Sequence, residues 1–194
     1  MMKRFFIFLF SGLILFVTTE SYGQLTKFDS TLKMGRVGYR VACNNKSIDK
    51  NELSIKPIGF ENTARELKFY IKGRVAKAEI DDLNNNGFPD IVVYMYSGIH
   101  GEYGNVFAFI SEENKSIVPI GVPDPTMDGK ISEGYKGHDV FSLMEGTLMQ
   151  KFPIYKTGDS TDRPTGGSRL IQYGLVGSGT GGYKFKMLRF YDLK

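Results

Sequence analysis

The chain has 194 residues, with 25 Lys and Arg against 21 Asp and Glu, for a net charge of +4. The basic residues stand singly, with no run of the kind that tracks a nucleic-acid backbone, which argues against nucleic acid as a partner. Cys43 is the sole cysteine, which excludes an intramolecular disulfide and leaves stability to packing.

In chain order, Lys3 and Arg4 precede the apolar run Phe5 to Val17, and the small residues Ser21 and Gly23 follow at cleavage spacing. This predicts that residues 1–23 are a signal peptide, removed on export. The run is interrupted by Ser11 and Gly12 and is shorter than the roughly 20 apolar residues a spanning helix needs. No cysteine lies nearby to take a lipid, so no membrane anchor is expected. Residues 24–194 have the length of a single domain. Removing Lys3, Arg4 and Glu20 takes the basic count from 25 to 23 and the acidic count from 21 to 20.

Period-two alternation then recurs along the chain. Val37, Tyr39, Val41 and Cys43 share one face of a strand, which predicts a buried, inert thiol. Further strands are expected at Leu53 to Pro57, Leu67 to Ile71, Val75 to Ile80, Asp139 to Met144, Thr147 to Tyr155, Arg169 to Val176 and Tyr183 to Met187. Asp90 to Tyr96 and Val106 to Ile110 are apolar on both alternating faces and read as central strands covered on both sides. Gly, Asn, Asp and Pro clusters separate these runs. The longest irregular stretch, Gly121 to Gly137, has room for a short helical turn around Lys130 to Gly134. The pattern predicts an all-β fold, an antiparallel β-sandwich of two packed sheets with a few long loops.

Two loops stand out. Asp82, Asn84, Asn86 and Asp90 occupy positions 1, 3, 5 and 9 of a segment with Gly87 at position 6, the spacing at which oxygen ligands converge on calcium. Position 12 is Val93 where an EF-hand has glutamate, and a strand follows. The same residues equally suit a turn in which Asx side chains accept backbone amides. The second is Ser97 to Gly104, where three glycines, His100, Glu102 and Tyr103 are held between two buried strands. A rigid scaffold commonly presents a recognition element in this way.

No catalytic constellation is visible. His100 and His138 are the only histidines, and HExxH, CxxC and GxSxG patterns are absent. Gly177 to Gly182 lacks the lysine and helix of a phosphate loop and reads as a hairpin connection. His138 beside Asp139 could form a base and its orienter, but hydrogen bonding where the strand begins explains the pair as well. A non-enzymatic protein is expected.

Several blocks stand in one order along the chain: Asp82-Leu83-Asn84-x-x-Gly87-x-Pro89, Gly101-x-Tyr103-Gly104, Gly134-Tyr135-x-Gly137-His138-Asp139, Glu145-Gly146-Thr147-Leu148, Phe152-Pro153-Ile154-Tyr155-x-x-Gly158-Asp159 and Pro164-Thr165-Gly166-Gly167-x-Arg169-x-x-Gln172-Tyr173. In these blocks the chain resembles the periplasmic inhibitors of invertebrate-type (i-type) lysozyme. The resemblance implies an antiparallel β-sandwich, a possible homodimer, periplasmic residence, and a loop inserted into the lysozyme cleft. That loop corresponds to Ser97, Gly98, His100, Gly101, Tyr103 and Gly104. Tyr103 matches the family's tyrosine, whereas His100 stands where the family has serine and Glu102 replaces a small residue. The alternative reading is a calcium-stabilised, non-catalytic envelope module that binds glycan or a surface protein.

Overall fold

The structure is a computed structural model, which describes residues 27–61, 64–178 and 182–194. The expected signal peptide, 1–23, lies outside the described residues. The architecture is all-β and antiparallel, built as a sandwich of three four-stranded sheets where the sequence suggested two. The first sheet contains β1 (Phe28–Met34), β2 (Val37–Cys43), β3 (Asn51–Ile58) and β4 (Leu67–Ile71) in sequential order. The second contains β5 (Arg74–Asp81), β6 (Asp90–Ser97), β7 (Tyr103–Glu112) and β8 (Ser116–Gly121), again sequential. The third contains β9 (Val140–Met144), β10 (Thr147–Pro153), β11 (Ser168–Ser178) and β12 (Gly182–Leu193), in the order β12-β11-β10-β9. Each sheet is a meander in which every strand pairs antiparallel with its neighbour in sequence.

The second sheet is the middle layer. From β6 and β7, Ile91, Val93, Met95 and Phe109 turn one way onto Tyr39, Val41, Leu53 and Ile55 of the first sheet. Val92, Tyr94, Val106, Ala108 and Ile110 turn the other way onto Phe141, Leu148, Ile171, Tyr173 and Phe185 of the third. Because side chains alternate across a strand, a layer buried on both faces has to be apolar at every position. This is why these two strands read as continuous apolar runs. Cys43 is buried, with its thiol free, as expected.

Two strands carry no strong sequence signal. β1 has the alternating but largely exposed face of an edge strand, and β8 is likewise an edge containing Pro119, a place where the missing amide does no harm. The short helical turn is 3₁₀ and lies at Pro125–Met127, capped by Asp124, earlier than the expected Lys130 to Gly134. The glycine-rich connection of β11 to β12 is a hairpin, with Gly177 paired to Tyr183.

Candidate functional site

The residues of the second loop form the end of the β6–β7 hairpin. The ladder extends further than the sequence suggested: Ser97 pairs with Tyr103 and Tyr96 with Gly104, so the free tip is only residues 98–102. Gly98 and Gly101 have φ of 92° and 75°, a region closed to most L-residues. The Gly101 amide donates to the Gly98 carbonyl at 3.3 Å, closing the turn. The Glu102 carboxylate folds back across it and accepts the His100 amide at 3.1 Å. Its own amide, then that of His100 and the two nearby imidazoles, hold the Glu102 carboxyl below the usual range. Glu102 is therefore an internal strut, and a Cβ at position 98 would displace its carboxylate, which lies directly over that glycine.

A second segment clamps the hairpin from the side. The His138 amide donates to the Glu102 carbonyl, and His138 itself adopts φ 63°. Gly137 lies against the same carbonyl and the Tyr103 ring, with no space for a side chain. Asp139, 4% exposed, then anchors the base. Its Oδ2 accepts the Gly104 amide at 2.9 Å and the Tyr135 hydroxyl at 2.7 Å. Its Oδ1 accepts Gln150 Nε2 at 2.7 Å, and Gln150 Oε1 accepts the Tyr173 hydroxyl at 2.8 Å. Burial pushes the Asp139 carboxyl upward while these donors pull it back, and burial beside Asp139 pushes the Tyr135 phenol well above its ordinary value. The buried chain thus ties the hairpin base to β10 and β11. His138 is exposed and is not oriented by the Asp139 carboxylate, which is fully engaged elsewhere. This removes the base-and-orienter reading of the pair.

The braced tip presents its own side chains outward. Ile99 is 76% and Tyr103 51% exposed, and His100 is exposed as well. Ile99 was not among the residues singled out from sequence. A lone isoleucine inside a glycine-rich loop gives no periodic signal, yet at 76% exposure it is the most solvent-facing apolar side chain of the hairpin. Tyr103, Gly104 and Ser97 line a cleft of about 310 Å³ shared with Lys72, Asp124 and Tyr135. Across the tip, His100, Glu102 and His138 border a second, mostly apolar depression with Thr161 and Asp162.

Comparison with protein-family models, curated proteins and solved structures finds no match to this chain.

The Asx-rich segment, by contrast, is turned in upon itself. Asp82 accepts the amides of Asn86 at 3.0 Å and Gly87 at 2.8 Å. Asn84 accepts Asn86 N at 3.2 Å, and Asn86 accepts Phe88 N at 2.9 Å. Asp90 has no exposed surface, and its two oxygens accept Ser111 N at 2.7 Å and Leu83 N at 2.9 Å. Every side-chain oxygen that the calcium spacing would supply already serves a backbone amide. No group of three or more His, Cys, Asp or Glu residues arranged to hold a metal occurs among the described residues. The geometry fits an Asx turn that fixes where β6 starts. Burial, with the charges of Asp82 and Asp81 adding to it against the pull of the two amides, raises the Asp90 carboxyl to about 7. Among the described residues no helix is long and apolar enough to cross a membrane.

Proposed function

We propose that the protein is an exported, non-catalytic lysozyme inhibitor that inserts the tip of the β6–β7 hairpin into the enzyme's active-site cleft and so protects peptidoglycan in the periplasm. The observation that carries this reading is the combination of an exposed tip with a braced base. Ile99, His100 and Tyr103 face outward, while Glu102, Gly137, His138 and Asp139 hold the backbone beneath them. Pre-ordering a loop removes the entropy cost that binding would otherwise meet.

The chemistry of the tip suits such a target. Lysozymes cleave with two carboxyl groups flanking the scissile bond. The Tyr103 hydroxyl and the His100 imidazole can both donate to carboxylates, and Ile99 can fill an apolar sugar-binding wall. Glu102 would be repelled by those carboxylates if it pointed forward. Its engagement with the His100 amide turns the charge back into the loop, which makes this substitution compatible with a plug. The i-type enzyme is the expected target on the resemblance of the sequence blocks.

The test is a cell-wall lysis assay against invertebrate-, chicken- and goose-type lysozymes, comparing wild type with Ile99→Ala, His100→Ala and Tyr103→Ala. Inhibition at micromolar protein that weakens in all three variants supports the reading. If none of the three enzymes is slowed, lysozyme inhibition is refuted for these targets. The second reading, a calcium-stabilised module, draws on one observation: burial chiefly, and then the nearby charges of Asp82 and Asp81, push the Asp90 carboxyl up, and a bound cation would offset those charges.

A further inference from the structure

We infer that the outer face of the third sheet is a docking surface for an anionic lipid membrane. The pairing register assigns the residues to this face. Leu170 stands opposite Lys151 and Tyr191, Gln172 opposite Met149 and Arg189, Gly174 opposite Lys186, and Val176 opposite Lys184. Residues directly paired across strands lie on the same side of a sheet. The neighbouring positions, Ile171, Tyr173 and Phe185, belong to the core on the opposite side.

Lys151, Lys184, Lys186 and Arg189 are exposed on this face. No carboxylate shares it among the described strand residues; Asp192 belongs to the other side, where it pairs with Arg169 at 2.7 Å. Between and beside the cations lie apolar side chains in water: Val140 at 63%, Met144 at 58%, Leu188 at 53% and Tyr191 at 45%. Leu188 is the extra residue of a bulge opposite Gln172 and Tyr173. It rests over Gly174, where a Cβ would stand 3.0 Å from its nearest methyl, so its side chain is on the outer face too.

Charge decides between occupants. A second copy docked face to face would oppose two sets of cations with no carboxylate between them on the described strands. A purely polar polyanion would leave four large apolar groups unused. An anionic bilayer meets both requirements, because phosphates attract the lysines and arginine while leucine, valine, methionine and an interfacial tyrosine enter the headgroup boundary. Lys184, Lys186 and Arg189 come from β12 and Lys151 from β10, and the order of the sheet brings them onto one face.

The experiment is co-sedimentation of the chain from Gln24, which contains every element described above and keeps the apolar segment Phe5 to Val17 out of the assay. The probes are vesicles of phosphatidylcholine with and without 30% phosphatidylglycerol (about one lipid in three). The protein is expected to sediment only with the anionic vesicles and to be released as salt is raised. Lys184→Gln with Lys186→Gln is expected to weaken partition on the order of 30-fold, about fivefold for each charge removed. Leu188→Ser with Tyr191→Ser is expected to weaken it at unchanged charge, and all these exposed changes should leave the melting temperature within a few degrees. Equal binding to neutral vesicles, or no binding to either, overturns the inference. So does competition by soluble polyphosphate with no effect of the apolar changes, or a dimer in light scattering that the same changes dissolve.

Discussion

Replacing Asp139 by alanine would strand three donors, and the structure separates their costs. Gln150 is 1% exposed, so its Nε2 has the least access to water of the three, although the residue reaches the wall of the cleft beside the hairpin. The Tyr135 hydroxyl and the Gly104 amide border the cleft beside the hairpin and can be partly rehydrated. An unpaired buried donor costs roughly 1–3 kcal/mol, and a partly hydrated one less. Removing a carboxylate that burial disfavours returns some of that loss. The balance is a destabilisation of about 2–3 kcal/mol. Asp139→Asn behaves differently. The new amide nitrogen would face Gln150, and turning the Gln150 carboxamide over presents Oε1 to it and Nε2 to the Tyr173 oxygen. Only the Tyr173 hydroxyl hydrogen is then left without its acceptor, at a cost of about 1 kcal/mol. Urea unfolding at pH 7, followed by circular dichroism, gives both numbers. Amide hydrogen exchange at Gly104 should accelerate in the alanine variant and stay close to wild type in the asparagine variant. If both substitutions cost the same, the charge of Asp139 and not its count of acceptors holds the hairpin, and the reasoning fails.

Gly104→Ala places a Cβ 2.6 Å from the Phe141 ring and 2.7 Å from the Asp139 Cβ. Overpacking of this kind costs about 1–3 kcal/mol, and chemical denaturation should find it, together with a loss of inhibition if the hairpin is the binding element. Asp90 predicts a pH effect. Its folded value near 7 exceeds the ordinary 3.8, so between about pH 4 and 7 the folded state holds more proton than the unfolded one and stability falls as pH rises. Relative to Asp90→Asn, wild type should lose up to about 4 kcal/mol across that window; a flat difference refutes the assignment. Millimolar calcium against chelator, read by melting temperature, tests the second reading: an Asx turn predicts no shift beyond that caused by ionic strength, and a rise of several degrees would establish cation binding.

The central pair β6 and β7 was legible because burial on both faces leaves no polar position between Ile91 and Met95 or between Val106 and Ile110. The third layer was not. Alternation tells which side of a strand is wet, but a half-buried strand looks the same whether it belongs to one of two sheets or one of three. The hairpin could be located from its glycines, yet its length could not, because Ser97 and Tyr103 are ordinary strand residues by composition. Nor could sequence reveal the brace. Asp139 and Gly104 are 35 residues apart, and an Asp following a His gave no sign that its carboxylate turns inward. Glu102 read as a charge added to a recognition loop, and became a strut only once its oxygen was seen against the His100 amide.

The middle position of β6 and β7 has a consequence for how the molecule can fail. These strands cannot separate without opening both cores at once, so local opening of the hairpin must stop at the Ser97 to Tyr103 pair, and the rest can part only when the whole protein unfolds. Cleavage of the backbone between Gly98 and Glu102 would therefore leave two cut ends still seated in an intact sheet. A protease in the surrounding medium could blunt the tip without releasing a fragment or denaturing the protein that carried it.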